Sequence, residues 1–309
     1  MEKRHREILR RNRVFLLDNI DSFDRLLSEL LAAEMPIVNE GMVDSIQPYK
    51  MESKPRGLAL ILSNTRFGQE SKLEDRPGGE IDFDNVQSLL DRLGFHVETG
   101  VDKSAEGMLS ILKTFAAKEE HKSADACIVV LMSHGAEDQI CGTDGEMVKY
   151  SNIFEAFNNK NCPNLQGKPK LFFIQACRGS AVDKGTDDPD SGKMQGLLGP
   201  KTRGTDQADA IKGSVPTKSD MLFSYATQKG QVSFRNSEYG SWYIQTLTKV
   251  FMEHAKDREL SSLLRMVNRF VSQKSASCPQ SPEYHGGKEC CEFVDTLMKD
   301  FYFFPGTHT

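Results

Sequence analysis

The 309 residues hold no apolar run approaching the roughly 20 needed to cross a bilayer. The charged start, Met1-Glu2-Lys3-Arg4-His5-Arg6, is not followed by a signal-peptide core. No Cys-x-x-Cys pair occurs, and the seven cysteines are odd in number and irregularly spaced. That pattern argues against a disulfide framework and points to a reducing compartment, the cytoplasm or, as a second option, the nucleus. Cys290 and Cys291 are adjacent without metal-type partners nearby in sequence, so neither a metal site nor a cofactor is expected. A net charge of -5 gives no case for binding nucleic acid or a membrane. What remains, 38% apolar and 27% charged, suits a soluble globular protein with some exposed linker.

Residues 1–47 read as a short helical segment. Phe23, Leu26, Leu27, Leu30 and Leu31 share one apolar helix face, and Pro48 closes the stretch. So short a segment buries little core by itself. From about residue 55 the pattern changes to alternating strands and helices. Residues 57–63, 95–98, 127–133, 171–176 and 221–226 read as strands. Helical stripes run through Val86 to Leu93, Met108 to Ala116, a turn near 151–158, Trp242 to Phe251, and Leu260 to Val271. Such alternation predicts an α/β fold: a mostly parallel sheet with helices on both faces. Residues 180–214 interrupt it with six glycines and six aspartates, the composition of an exposed loop. Phe301-Tyr302-Phe303-Phe304 reads as a last, aromatic strand, stopped by Pro305-Gly306. Such an edge would pair with a second subunit or be covered by its own chain.

The strand Leu171-Phe172-Phe173-Ile174 runs into Gln175-Ala176-Cys177-Arg178-Gly179, and the strand ending at Met132 runs into Ser133-His134-Gly135. His134 precedes Cys177 by 43 positions. The end of a strand is where an open α/β sheet exposes its chemistry. A lone cysteine is most often a small core residue; the pair of motifs at matching strand ends counts against that reading. Cysteine nucleophilic catalysis needs a thiolate, a proton donor for the leaving amine, and donors aimed at the developing oxyanion. Cys177 supplies the sulfur. His134 supplies acid and base, since imidazole titrates near working pH. The backbone N–H groups of Gly135 and Cys177 are candidates for the oxyanion. No third orienting side chain is visible, so backbone carbonyls are expected to hold the imidazole.

Arg76 lies in the polar turn after the first strand, and Arg235 in Val232-Ser233-Phe234-Arg235-Asn236-Ser237 after the strand at 221–226. Each alone reads as a solvated surface arginine. Two arginines on loops at one end of a sheet can hold one carboxylate, and Gln175 adds an amide donor. Together they suggest a pocket for an aspartate side chain. The linker carries Asp187-Asp188-Pro189-Asp190 before Ser191 and Asp206-Gln207-Ala208-Asp209 before Ala210. An enzyme cutting after aspartate would process itself, or be processed, after Asp190 and Asp209. The alternative is a solvated acidic linker.

The Cys177 and His134 motifs, Gly240-Ser241-Trp242-Tyr243-Ile244, and the Phe-Arg-Asn-Ser segment at 234–237 resemble the caspases over roughly residues 55–305. The resemblance implies a six-stranded, mostly parallel sheet. It implies a large subunit at 55–180, a linker at 181–215, a small subunit at 216–305, and a homodimer of large/small subunit pairs joined through the last strand. It implies a thiol endopeptidase made as a zymogen, acting in apoptosis on protein substrates with Asp at P1. By position it makes Cys177 the nucleophile, His134 the acid/base and Gly135 an oxyanion residue. Arg76, Gln175 and Arg235 become the Asp pocket, Ser233 and Phe234 the substrate groove, and Trp242 a distal pocket. Residues 54–60 and 303–306 resemble the caspase-two initiator branch, and 168–173 and 206–210 the caspase-nine branch. Residues 10–14 resemble the start of a recruitment domain that binds a death-fold adaptor, although the segment is about half the length such a domain needs. A regulatory protein that pairs with longer relatives is the competing reading. Retention of the cysteine, the histidine and both arginines speaks against it.

Overall fold

A computed structural model describes residues 47–185 and 216–304. The helical segment read at 1–47, apart from its last residue, and the processing candidates Asp190 and Asp209 lie outside the described residues. The elements, in order, are β1 (Gly57–Ser63), α1 (Gly79–Arg92), β2 (His96–Val101), α2 (Ala105–Ala116), β3 (Ala126–Met132), β4 (Gly135–Ala136), β5 (Gln139–Cys141), β6 (Met147–Lys149), α3 (Tyr150–Ala156), β7 (Lys170–Gln175), β8 (Met221–Tyr225), β9 (Arg235–Asn236), β10 (Gly240–Ser241), α4 (Trp242–His254), α5 (Leu260–Ser272) and β11 (Glu292–Asp295).

Six strands form the main sheet in the order β11-β8-β7-β3-β1-β2. All neighbours are parallel except β11, which runs antiparallel to β8. Side chains alternate across a strand, so each central strand feeds two cores. Ala59, Ile61, Ile128, Val130, Leu171 and Phe173 pack with the apolar stripes of α1, α4 and α5. Leu60, Leu62, Val129, Leu131, Phe172 and Ile174 pack with Met108, Leu112 and Phe115 of α2 and Ile153 of α3. Burial on both faces is why these strands read as continuous apolar runs. Each fully buried Leu, Ile or Val contributes about 1.5–3 kcal/mol relative to exposure. Packing inside the sheet leaves no room at Gly57, where an added Cβ would lie 2.2 Å from the Ala126 carbonyl oxygen.

One sequence expectation fails. Residues 301–304 form no strand; the last strand is β11. Phe301 and Phe303 are buried against the α1/α4/α5 core, which produces the period-two pattern without a ladder. The backbone here bonds elsewhere: the Leu260 N–H donates to the Phe301 carbonyl at 2.9 Å, and Tyr49 N–H to the Asp300 carbonyl at 3.0 Å. One edge of the sheet is β2 and the other is β11, where Val294 is 47% exposed. Two small sheets, β4-β5-β6 and β9-β10, were not legible in the sequence. Among the described residues no helix is long and apolar enough to cross a membrane.

Candidate active site

Four loops leave the carboxyl ends of β1, β3, β7 and β8, and the sequence-predicted residues lie on them or beside them: Gln175 ends β7, Gly135 opens β4, Arg235 opens β9 and Trp242 opens α4. Strand order reverses at β1, since β2 follows on one side and β3 on the other. Ligand crevices in open α/β sheets form at such a switch point. β3 and β7 are paired in parallel up to Met132↔Gln175. The Ser133 N–H donates to the Gln175 carbonyl at 3.2 Å, so the ladder runs into the first residue of both motifs. His134-Gly135 and Ala176-Cys177 therefore emerge side by side. An added Cβ on Gly135 would lie 2.8 Å from the Cys177 carbonyl oxygen and 2.9 Å from the Ala176 Cβ, so only glycine permits this approach.

β4 and β5 fold back behind His134. The Cys141 N–H donates to the His134 carbonyl at 2.9 Å, and the Ser133 hydroxyl to the Cys141 carbonyl at 2.6 Å. The imidazole meets the Glu74 carbonyl oxygen through Nε2 at 2.8 Å and the Phe67 ring at 4.8 Å. A carbonyl only accepts, so Nε2 carries the proton. In the neutral ring Nδ1 then keeps its lone pair. Burial lowers the pKa of His134, the Glu74 carbonyl raises it, and the Arg76 and Arg235 charges lower it. The Glu74 carbonyl is the backbone orienting group expected in kind from the sequence; its position carries no side-chain signal.

The Cys177 thiol is half-buried and faces Ser233. Its Sγ lies 3.5 Å from the Ser233 nitrogen, 3.7 Å from the hydroxyl and 3.9 Å from the carbonyl. Gln175 donates from Nε2 to the Ser233 hydroxyl at 3.0 Å, while its Oε1 is buried without a partner among the described residues. Arg76 is 1% exposed and donates to the Asn64 carbonyl at 2.8 Å. Arg235 donates from Nε to the Pro77 carbonyl at 3.0 Å, which brings it beside the Arg76 turn. Burial and then the Arg235 charge press the Arg76 pKa down; Asp82, Cys177 and Glu80 pull it up. Burial lowers that of Arg235 as well, opposed by Asp82, Cys177 and Glu80. Among the described residues neither guanidinium lies within ion-pair distance of a carboxylate. Two crowded, unpaired cations beside a thiol make a site that favours an incoming anion.

Phe234 is buried and stacks on half-buried Trp242, with ring centroids 4.9 Å apart. Two acidic residues that the sequence reading did not single out support this wall. Asp82, on α1, accepts the Ser241 N–H at 2.7 Å and the Ser241 hydroxyl, fixing the start of α4 and hence Trp242. Burial raises its pKa and the Ser241 bonds lower it. Glu289 accepts the Phe234 N–H. Their long sequence separation from the groove leaves no local pattern by which to find them.

Comparison with known proteins agrees with this geometry. A family model described as "Caspase domain" matches residues 56–302. Caspase-2 of Gallus gallus is 44% identical over 258 residues, covering 84% of this chain and 61% of that protein. Caspase-9 of Homo sapiens is 38% identical over 248 residues, 73% of this chain and 58% of that protein. Caspase-3 of Felis catus is 33% identical over 256 residues, 83% of this chain and 87% of that protein. The chain thus spans less than two thirds of the caspase-2 and caspase-9 relatives. Matching motifs, sheet order and similarity across most of the described residues lead to one conclusion: the chain belongs to the caspase family.

Proposed function

We propose that this chain is the precursor of an initiator-type cysteine endopeptidase that cuts peptide bonds after Asp in programmed cell death. The observation that carries the reading is the pair of guanidiniums, Arg76 and Arg235, close enough to feel each other and the Cys177 thiol and, among the described residues, without a carboxylate in ion-pair range. A substrate aspartate carboxylate fits between them, with Gln175 Nε2 as a further donor. Ser233 and Phe234 line the groove and Trp242 bounds a more distal pocket.

The Cys177 thiolate attacks the scissile carbonyl carbon. The oxyanion is met by the N–H groups of Gly135 and Cys177. His134, protonated on taking the thiol proton, returns it to the leaving amine as the C–N bond breaks. Water then attacks the thioester, His134 takes its proton, and the thiolate leaves with the Asp-ending product released as the acid. Nε2 stays bonded to the Glu74 carbonyl throughout, so the moving proton belongs to Nδ1.

Residues 55–180 and 216–305 are read as large and small subunits, separated by cuts after Asp190 and Asp209 in the linker. The free edge of β11 supports a homodimer through antiparallel pairing with its own copy. The segment at 1–47 is read as the part that meets a death-fold adaptor. The test incubates purified protein with an Asp-ending fluorogenic peptide, with and without a dimer-promoting salt, alongside mass spectrometry of the chain. Turnover plus new termini after Asp190 or Asp209, both absent in Cys177→Ala, is the expected result. No turnover under either condition overturns it and favours the regulatory reading.

A further inference from the structure

Glu289 lies three residues before β11, far from the thiol in sequence, yet it is 1% exposed. It accepts the Phe234 N–H through Oε2, and its Oε1 is buried without a partner among the described residues. The carbonyl of Phe234 is tied as well, accepting the Trp242 N–H at 3.1 Å. Both backbone groups of Phe234 thus turn into the protein. In an extended segment the neighbouring residues turn the other way, and Ser233 indeed presents its nitrogen and carbonyl to the thiol. The Phe234 ring is closed in on a second side by Gly287, where an added Cβ would lie 2.5 Å from Cζ. The loop that carries Glu289 therefore grips Phe234 by both backbone and ring.

We propose that Glu289 is a positioning residue for the substrate groove: by taking the Phe234 N–H from the protein side it fixes the 232–235 segment, so that Ser233 faces Cys177 and Arg235 faces the aspartate pocket. The assignment rests on the protease reading of that groove. The Phe234 N–H needs only one acceptor, and an uncharged carboxyl supplies it through its carbonyl oxygen. Burial pushes the carboxyl up to about 8, against the Phe234 bond and Lys274, with Asp82 adding to the rise. At neutral pH the side chain is thus mainly the neutral acid, and a carboxamide can replace it.

The test compares wild type, Glu289→Gln and Glu289→Leu by kcat and KM on an Asp-ending peptide, and by the emission of Trp242. Trp242 is the single tryptophan of the chain and stacks on Phe234, so it reports the position of the groove directly. E289L is expected to lose at least about tenfold in kcat/KM, mostly through KM, with a red-shifted Trp242 emission, because the buried Phe234 N–H is left unpaired. E289Q, the conservative variant, is expected to restore both readouts to within about threefold of wild type and the original emission. If E289L does not fold, Glu289→Asp replaces it, judged by the same criteria, since the shorter acid withdraws the acceptor. An E289L or E289D protein with wild-type KM and emission overturns the assignment, as does an E289Q protein as impaired as the leucine variant. Failure of wild type itself to cleave the peptide counts against the protease reading, whereas the emission arm still tests the grip on Phe234.

Discussion

Cys177 and His134 leave neighbouring parallel strands whose pairing runs unbroken from Cys127↔Lys170 to Met132↔Gln175. Ser233 and Phe234 lie in an irregular segment that leads into the two-residue strand β9 at Arg235, and side chains hold it: Gln175 on Ser233, Glu289 on Phe234, and Arg235 itself on the Pro77 carbonyl. The first half of the site inherits its geometry from a sheet buried on both faces. The second half owes its geometry to a few bonds between distant loops. Local stability follows buried contacts and protected hydrogen bonds, so the two halves should answer differently to substitution. Changes in the sheet-held half that touch only chemistry should leave folding alone. Changes in its packing should unfold the domain, and changes in the loop-held half should alter recognition first.

The largest expected effect is on the reacting atom. Cys177→Ala should lower turnover of an Asp-ending peptide by at least about 10⁴-fold. Because the thiol is half-buried and bonded only weakly to Ser233, the melting temperature should stay within about 2 °C of wild type. Next comes Arg235→Ala. It removes one of the two cations of the proposed aspartate pocket, and kcat/KM should fall about 10²–10³-fold, the range for truncating one partner of a buried charge pair. Discrimination between Asp and Asn at P1 should shrink with it, and the melting temperature should change little. A loss of stability as large as the loss of recognition would place Arg235 in the sheet-held half instead.

Glycines sharpen the same comparison through stability. Gly57→Ala places a Cβ 2.2 Å from the Ala126 carbonyl oxygen inside the sheet, where backbone cannot yield. A loss of about 3 kcal/mol or more is expected by denaturant unfolding. Gly230, in the loop behind Ser233, has φ +86 and nothing within 4 Å of an added Cβ. Gly230→Ala should cost only about 1–2 kcal/mol, the strain of a left-handed conformation. Equal losses at the two positions would remove the distinction between the halves.

What was legible in the sequence divides along the same line. Strands β1, β3, β7 and β8 announced themselves as apolar runs because both of their faces are buried, and the two motifs at the ends of β3 and β7 gave the thiol and imidazole. The helical stripe of α5 was equally plain, since Leu260, Leu263, Leu264, Val267 and Val271 are all buried on one face. Phe301 and Phe303 misled because alternation marks burial of every second side chain, and an irregular segment lying on a core satisfies that as well as a strand does. The short strands β4, β5, β9 and β10 span two or three residues, too few for any period to register. Glu289 and Asp82 escaped notice for a different reason. Each acts on a backbone N–H more than 50 residues away, and a backbone group has no letter in the sequence.

The smallest expected effect is a shift in one imidazole, and it tests whether the halves communicate. His134 stands on the sheet-held side, but one of the charges lowering its pKa, Arg235, stands on the loop-held side. Burial and the two arginines disfavour the imidazolium, so in the folded protein His134 takes up its proton at lower pH than an unfolded chain would, whose imidazole titrates near 6.5. As pH falls below that value the unfolded state binds the proton first, and His134 contributes a loss of stability on acidification. Arg235→Gln removes the repulsion while leaving the Glu74 bond in place. The His134 titration midpoint should therefore move up, toward the ordinary value, and the acid-side loss of stability should be smaller than in wild type. Proton NMR of the imidazole Cε1–H, assigned against a His134→Ala variant, reads the first quantity, and thermal unfolding between pH 5 and pH 7 reads the second. An unchanged midpoint in R235Q would mean that solvent screens the two groups from each other, so that the guanidinium acts on substrate alone and the imidazole is set wholly by the sheet that carries it.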